Sequence, residues 1–287
     1  MSDSGLFVDS TGVWHIEDEI HEALLALNAQ DCDVLFVHSD ISFGLPNRSY
    51  KRKEYLGKLF DIIIELGVQT VVFPTFTYSF CNSEVYDVNN SATSMGALNE
   101  YARKQADAVR SLDPLLSVVA FGEQRERLTQ GACDNSLGHG SILDKLHHTS
   151  NVKFLFFGAE FSNSFTYVHY VEKMMNVPYR FDMVFDGTIV DHDGRRYPKT
   201  QAIHTACGGI VPIDFYHFKD SLRDSGQLRI RPLGDREIAI ITEPNAYQAI
   251  TEKINGRIDY FLERPFTQKD LEHRYTYDRT KARITHC

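Results

Sequence analysis

The chain has little cysteine, and what it has forms no pattern. Five cysteines stand at positions 32, 81, 133, 207 and 287 of 287 residues. An odd number without a Cys-x-x-Cys indicates neither a disulfide framework nor a zinc knuckle, and points to a reducing, cytoplasmic setting. Basic charge is also short: 30 Lys and Arg against 39 Asp and Glu leave a formal charge of -9. With no clustered basic face, nucleic acid is excluded as a partner. An acidic chain suits a cationic small molecule, such as a polyamine or an amino sugar. No apolar run approaches the roughly 20 residues of a membrane span. The opening MSDSGLFVDS lacks the basic-then-apolar order of a secretory signal. Neither Gly-x-Gly-x-x-Gly nor a Walker A loop occurs, which argues against dinucleotide and P-loop sites. No repeat or linker interrupts the chain, so it reads as a single domain over residues 1–287.

What is present is an alternation of helical and strand-like segments. HIEDEIHEALLAL (15–27), YLGKLFDIIIEL (55–66), LNEYARKQADAVR (98–110) and SILDKLHHT (141–149) carry apolar residues at helical spacing. Between them DVLFVHS (33–39), VQTVVFPTFT (68–77), LSVVAFG (116–122) and VKFLFFGA (152–159) read as short buried strands. This order predicts an α/β fold with a central mixed or mostly parallel sheet flanked by helices. Residues 78–95 are polar and predict a long loop. The C-terminal half predicts antiparallel hairpins over 181–203, with Asp-His-Asp-Gly as the turn, and over 228–243. A helix with Pro near its start is predicted over 244–262.

Polar residues collect where the strands end. His38, Ser39, Ser42 and Gly44 follow the first strand, and Thr75 and Thr77 follow the second. In open α/β sheets ligands bind beyond such strand ends, although each Ser or Thr also suits a turn or a helix cap. Arg103 and Arg110 lie seven apart in a predicted helix, where they could hold an anion or pair with Glu100 and Asp107. Cys81 and Cys207 have no neighbouring base to make either a nucleophile. In FTYVHYVEKMM (165–175), His169 and Glu172 fall one helical turn apart. They form either a buried structural pair or a base and the carboxylate that orients it. As metal ligands they would be only two, with no second pair at matching spacing.

Five stretches resemble the aminoglycoside 3-N-acetyltransferase family, in the family's order: VHSDISFG (37–44), VVFPTFTYSF (71–80), SMGALNEYARKQADAVRSLDPLLSVVAFG (94–122), GHGSILDKL (138–146) and FLFFGAEFSNSFTYVHYVE (154–172). The resemblance covers about residues 33 to 180, and the C-terminal third matches less distinctly. It implies acetyl-CoA as co-substrate, no metal, and an α/β fold distinct from that of the small acetyltransferases. It implies a small-molecule amine acceptor on an aminocyclitol or amino sugar, and it is compatible with a homo-oligomer. The Thr-x-x-His-x-x-Glu context falls on Thr166, His169 and Glu172, which makes His169 similar to the family's general base. The CoA-binding elements fall on His38, Ser39, Ser42, Gly44, Arg110, Ser111, Ser117 and Val118. Asp113 departs from the histidine that many members carry before the proline of the Arg-Ser stretch.

The chemistry this implies is direct transfer in a ternary complex. His169 takes the amine proton, Glu172 orients His169 or contacts the cationic acceptor, and Thr75 or a backbone N–H holds the oxyanion. The acceptor is an aminoglycoside or, alternatively, a nucleotide-linked amino sugar. Acidic walls would suit the first and added Arg or Lys the second. A metal-dependent hydrolase, suggested by twelve histidines, and a non-catalytic CoA-binding protein remain as readings of other classes.

Overall fold

The computed structural model describes residues 5–131, 133–212, 215–278 and 283–286. In chain order, β1 (Phe7–Val8) and β2 (Trp14–His15) make a small antiparallel corner. α1 (Glu17–Ala26) opens with three acidic residues, where free N–H groups favour negative charge. It buries Ile20, Ala23 and Leu24 against β3 (Val34–Ser39) and its neighbours. β4 (Leu45–Pro46) returns to pair with β1. α2 (Arg52–Ile64) leads into β5 (Thr70–Pro74). Then come β6 (Tyr86–Asp87), α3 (Ala97–Arg103), β7 (Val109–Arg110) and β8 (Val118–Gly122). α4 (Arg125–Thr129) and α5 (Ile142–His147) precede β9 (Val152–Phe157). α6 (Phe161–Ser164) and α7 (Tyr167–Met174) lead to the long hairpin β10 (Arg180–Val190) and β11 (Arg196–Ala206). α8 (Tyr216–Asp224), β12 (Arg229–Leu233), β13 (Arg236–Thr242), α9 (Glu243–Gly256), α10 (Gln268–Glu272), β14 (Tyr275–Asp278) and β15 (Arg283–His286) complete the chain.

Seven strands form the main sheet in the order β12-β13-β9-β3-β5-β8-β7. The centre is parallel, with β3 between β9 and β5. Both flanks are antiparallel, so the sheet is mixed. The side-chain period of two explains the two cores. On β3, Val34 and Phe36 enter one apolar cluster, and Leu35 and Val37 enter the other. On β9, Phe154 and Phe156 go with the first and Leu155 and Phe157 with the second. Both faces are therefore covered, as the uninterrupted apolar runs predict.

Local signals miss some boundaries. The helix expected over 98–110 ends at Arg103, and Val109–Arg110 pair with β8 as an edge strand instead. Arg103 and Arg110 therefore share no helix face. Arg103 pairs with Glu100 at 2.6 Å, the partner that competed for it in the sequence. The helix expected to reach residue 262 stops at Gly256. Thr242 caps it, accepting from the Asn245 N–H at 3.4 Å. The loop over 78–95 contains β6, which pairs parallel with β10. Cys287, Ile213 and Asp214 lie outside the described residues. Among the described residues no helix is long and apolar enough to cross a membrane.

Candidate active site

The centre of the sheet fixes where a site can form. β3 has a parallel neighbour on each side: β5, the next strand of the main sheet in the chain, and β9, which arrives only after β8, α4 and α5, so the strand order reverses beside it. A crevice opens where such strands end. Here it is a cleft of about 660 Å³, within the common range for ligand sites. His38, Ser39 and Asp40 supply one wall, Pro74 and Phe76 a second, and the start of α3, from Gly96 to Asn99, a third. Glu160, Asn163, Ser164 and Thr166 come from the segment around α6, and Arg236 from the start of β13.

The β3 end is held by its own hydrogen bonds. The Ser39 hydroxyl donates to Asn99 Oδ1, and Asn99 Nδ2 donates to the Pro74 carbonyl at 2.6 Å. One buried amide thus joins three walls. His38 lies between Phe36 and Phe156, stacked on Phe156 at 5.0 Å, and burial pushes its pKa down to about 3. It is a neutral wall of the cleft. Asp40 Oδ1 accepts from the Ser42 N–H at 2.9 Å and its hydroxyl at 2.6 Å. Ser42 in turn accepts from Arg236, with Nη2 at 2.9 Å. Ser42 thus orients a cleft-lining cation without lining the cleft itself. Gly44 packs on β1, where an added Cβ would stand 2.3 Å from the Val8 carbonyl oxygen. Gly158 has φ +74° and brings its backbone against Asp40, where a Cβ would meet the Asp40 oxygen at 2.1 Å.

His169 and Glu172 lie on α7, three and six residues after the cleft-lining Thr166, and with Tyr179 and Arg180 they line a small separate pocket rather than the cleft itself. His169 Nδ1 is 2.7 Å from Glu172 Oε2. The His169 side chain is 30% exposed and Glu172 only 2%. His169 Nε2 has no hydrogen-bond partner among the described residues. Two residues from the next segment complete the group. The Tyr179 hydroxyl donates to Glu172 Oε1 at 2.8 Å. Arg180 puts Nε 2.8 Å from Glu172 Oε2 and Nη2 2.8 Å from His169 Nδ1. Burial alone would raise the Glu172 pKa. The Arg180 guanidinium, then His169 and the Tyr179 hydroxyl, outweigh it and hold the carboxyl at about 2. Burial and the Arg180 charge push His169 downward, with Glu172 pulling the other way. The arrangement is an ionised carboxylate orienting a neutral imidazole that has one free nitrogen. A neutral imidazole of this kind can take a proton from a ligand.

A family model described as aminoglycoside 3-N-acetyltransferase matches residues 36–255. The chain belongs to this family. Membership makes it an N-acetyltransferase with acetyl-CoA as co-substrate. No curated protein sequence matches it significantly. Its fold is similar to that of the aminoglycoside acetyltransferase AAC(3)-Xa, with 19% identity, a TM-score of 0.71, and 85% of this chain and 93% of the other covered. It is also similar to AAC-IIIb solved with CoASH, at 19% identity and TM-score 0.66, covering 88% and 98%. AAC-VIa bound to sisomicin is 16% identical, with TM-score 0.69 and coverage of 84% and 98%.

Within this acetyltransferase, Thr75, Arg110, Ser111, Ser117 and Val118 are buried and do not line the large cleft. Their hydrogen bonds run within the protein, and Ser111 lines a second, smaller pocket. Arg110 donates to the Thr75 carbonyl at 2.9 Å, Thr75 Oγ1 at 3.2 Å and Ser117 Oγ at 3.2 Å. It also donates to the Val88 and Ser91 carbonyls at 3.2 and 2.6 Å. Its guanidinium is thereby fully engaged, and it ties the 88–91 loop to the end of β5. Ser111 accepts from the Val118 N–H at 3.0 Å, which closes the β7–β8 turn. Asp113 accepts from the Leu115 and Leu116 N–H groups at 2.8 and 2.9 Å, so its departure from the family's histidine serves a turn. Cys81 is raised to about 11 by burial, and Cys207 is raised for the same reason. Neither thiol is activated. No group of three or more potential metal ligands occurs among the described residues. Sequence reasoning missed Asn99, Glu160, Arg236, Tyr179 and Arg180. Asn99 stood inside a quoted family stretch, whereas Arg236 and Arg180 carried no local signal.

Proposed function

We propose that the chain transfers the acetyl group of acetyl-CoA to an amine of an aminoglycoside or a related amino sugar, with His169 as general base. The observation that carries this reading is the 2.7 Å contact of His169 Nδ1 with the buried Glu172, His169 standing three residues after the cleft-lining Thr166. Glu172 holds Nδ1 and leaves Nε2 as the proton acceptor. The amine loses a proton to Nε2 and its lone pair attacks the thioester carbonyl. The C–S bond breaks, and CoA leaves as a thiolate that recovers the proton. No acyl-enzyme is needed, since neither described thiol near the strand ends is activated. The main cleft, with His38, Ser39 and the Ser42-held Arg236, takes the donor, and Arg236 meets its anionic end. Arg110, Ser111, Ser117 and Val118 shape the donor site from beneath. Thr75 supports Phe76 at the cleft wall.

The similar folds of AAC-IIIb with CoASH and AAC-VIa with sisomicin support the donor and the acceptor class by analogy. In the cleft lining Asp40 lies 3.5 Å from Arg236 and Glu160 lies 2.8 Å from Lys219, so each carboxylate has a cationic partner. The test is CoA release from acetyl-CoA across a panel of aminoglycosides and nucleotide-linked amino sugars, with His169→Ala alongside. The expected result is turnover with an aminoglycoside, lowered about 10²–10⁴-fold in the variant with acetyl-CoA binding retained. Full activity in His169→Ala would remove the base assignment.

A further inference from the structure

One nitrogen of His169 faces two competing partners. Glu172 Oε2 stands 2.7 Å from Nδ1, and Arg180 Nη2 stands 2.8 Å from the same atom. Arg180 is no loose surface cation. Its side chain is 8% exposed, and Nη1 donates to the His204 carbonyl at 2.9 Å. That bond anchors the guanidinium to β11. Its Nε lies within 2.8 Å of Glu172 Oε2, although its N–H is not aimed at that oxygen. We propose that Arg180 is a positioning residue for the proposed acetyl transfer: it cancels the charge of Glu172 and opposes a positive charge on His169, so the imidazole works as a neutral base and sheds its proton quickly. The inference rests on the reading of His169 as the base.

The physics is charge counting in a poorly solvated space. Glu172 and Arg180 sum to zero, so a neutral His169 leaves the group neutral. Protonating His169 puts an imidazolium against a guanidinium with one carboxylate between them. A lone Glu172 would do the reverse and stabilise the imidazolium. After His169 takes the amine proton, Arg180 therefore favours handing it on to the departing thiolate. The other groups around His169 do not replace Arg180. Phe215 packs edge-on to the ring at 6.1 Å, and Tyr179 binds Glu172. Asp182 is already engaged by Lys173 at 2.6 Å and His204 at 2.8 Å. Asp259 acts on Tyr179 and is paired with Arg257 at 3.2 Å. Removing the guanidinium would leave Glu172, among the described residues, with His169 as its only cationic partner.

The experiment has two readouts on the full chain. One is the pH dependence of kcat/KM for Arg180→Met and Arg180→Lys. The other is an imidazole ¹⁵N titration of His169 by NMR in the free enzyme, assigned with His169→Gln. Arg180→Met should move the acid limb to higher pH, so its rate near neutrality falls roughly tenfold further than its rate on the alkaline plateau. Arg180→Lys, which keeps the charge, should restore the position of the limb. The NMR titration should rise in Arg180→Met, and in wild type His169 should be neutral at about pH 7. A uniform loss of rate with an unmoved limb, or an unmoved titration in a folded variant, would overturn the proposal. An imidazolium in wild type at neutral pH would overturn it without any variant. Because the NMR readout needs no turnover, failure to find an acceptor would count against the acetyltransferase reading and leave this inference decidable.

Discussion

Replacing Glu172 by Gln removes one charge from a group in which every partner is accounted for. The carboxylate is 2% exposed and touches His169, Arg180 and Tyr179 at 2.7, 2.8 and 2.8 Å. Its pKa lies at about 2 in the folded protein against an ordinary value of 4.5. The folded state therefore binds fewer protons than the unfolded chain between those two values. The stabilisation is fully present above the unfolded value and is lost as pH falls through the folded one. A displacement of this size corresponds to about 3 kcal/mol. Breaking a buried ion pair by removing one partner costs a similar ~3–5 kcal/mol, because the other charge is left alone. Two independent routes therefore give the same order. Equilibrium urea unfolding at neutral pH should show Glu172→Gln less stable by about 3 kcal/mol, with Tm lower by roughly 6 °C or more. The gap between variant and wild type should narrow on acidification below the ordinary carboxyl value, where the wild type loses the contribution and the variant has none to lose. A stability change below about 1 kcal/mol at neutral pH, typical of a surface pair, would refute the buried-pair energetics.

Arg110→Met leaves the Ser91 and Val88 carbonyls without the Arg110 donor, while Thr75 keeps the Ser117 hydroxyl, and should cost about 3 kcal/mol. It should also loosen the 88–91 loop, which amide hydrogen exchange would detect. Gly158→Ala forces a Cβ against the Asp40 oxygen at 2.1 Å with φ +74°. It should destabilise by about 2 kcal/mol or more and raise KM for acetyl-CoA, while an alanine at exposed Gly194, where nothing lies within 4 Å, should leave that KM alone. His38 is held near 3 by burial, so its ring resonances should not move between about pH 5 and pH 8. A titration in that range would show that the cleft wall is open to water.

The central strands were legible because burial on both faces writes an uninterrupted apolar run, as in VLFV and FLFF. Two-residue edge strands such as β6 and β7 were not, because their pairing is decided by a distant partner. KQADAVR has no Gly or Pro to stop a helix, yet Val109 and Arg110 leave it to pair with Ala120 and Val119. The His169 and Glu172 pair was legible because both lie on one helix at a spacing that fixes their proximity. Arg180 was not, since a strand residue eight positions later has no spacing rule that returns it to the helix. Arg110 shows the opposite limit. Its residue type suits an anion site, but only burial reveals that protein carbonyls and hydroxyls have already taken its donors.

The order of the sheet also has a consequence for the growing chain. β3 leaves the ribosome early, and its β5 partner follows soon after. Its other edge stays bare until Val152–Phe157 have been made, since β9 pairs there in register from Val34 to Ser39. An apolar strand with an open edge is a template for wrong pairing. For roughly the first half of its synthesis the nascent chain therefore exposes the strand that ends in the cleft wall, and the arrival of β9 both buries that edge and completes the crevice.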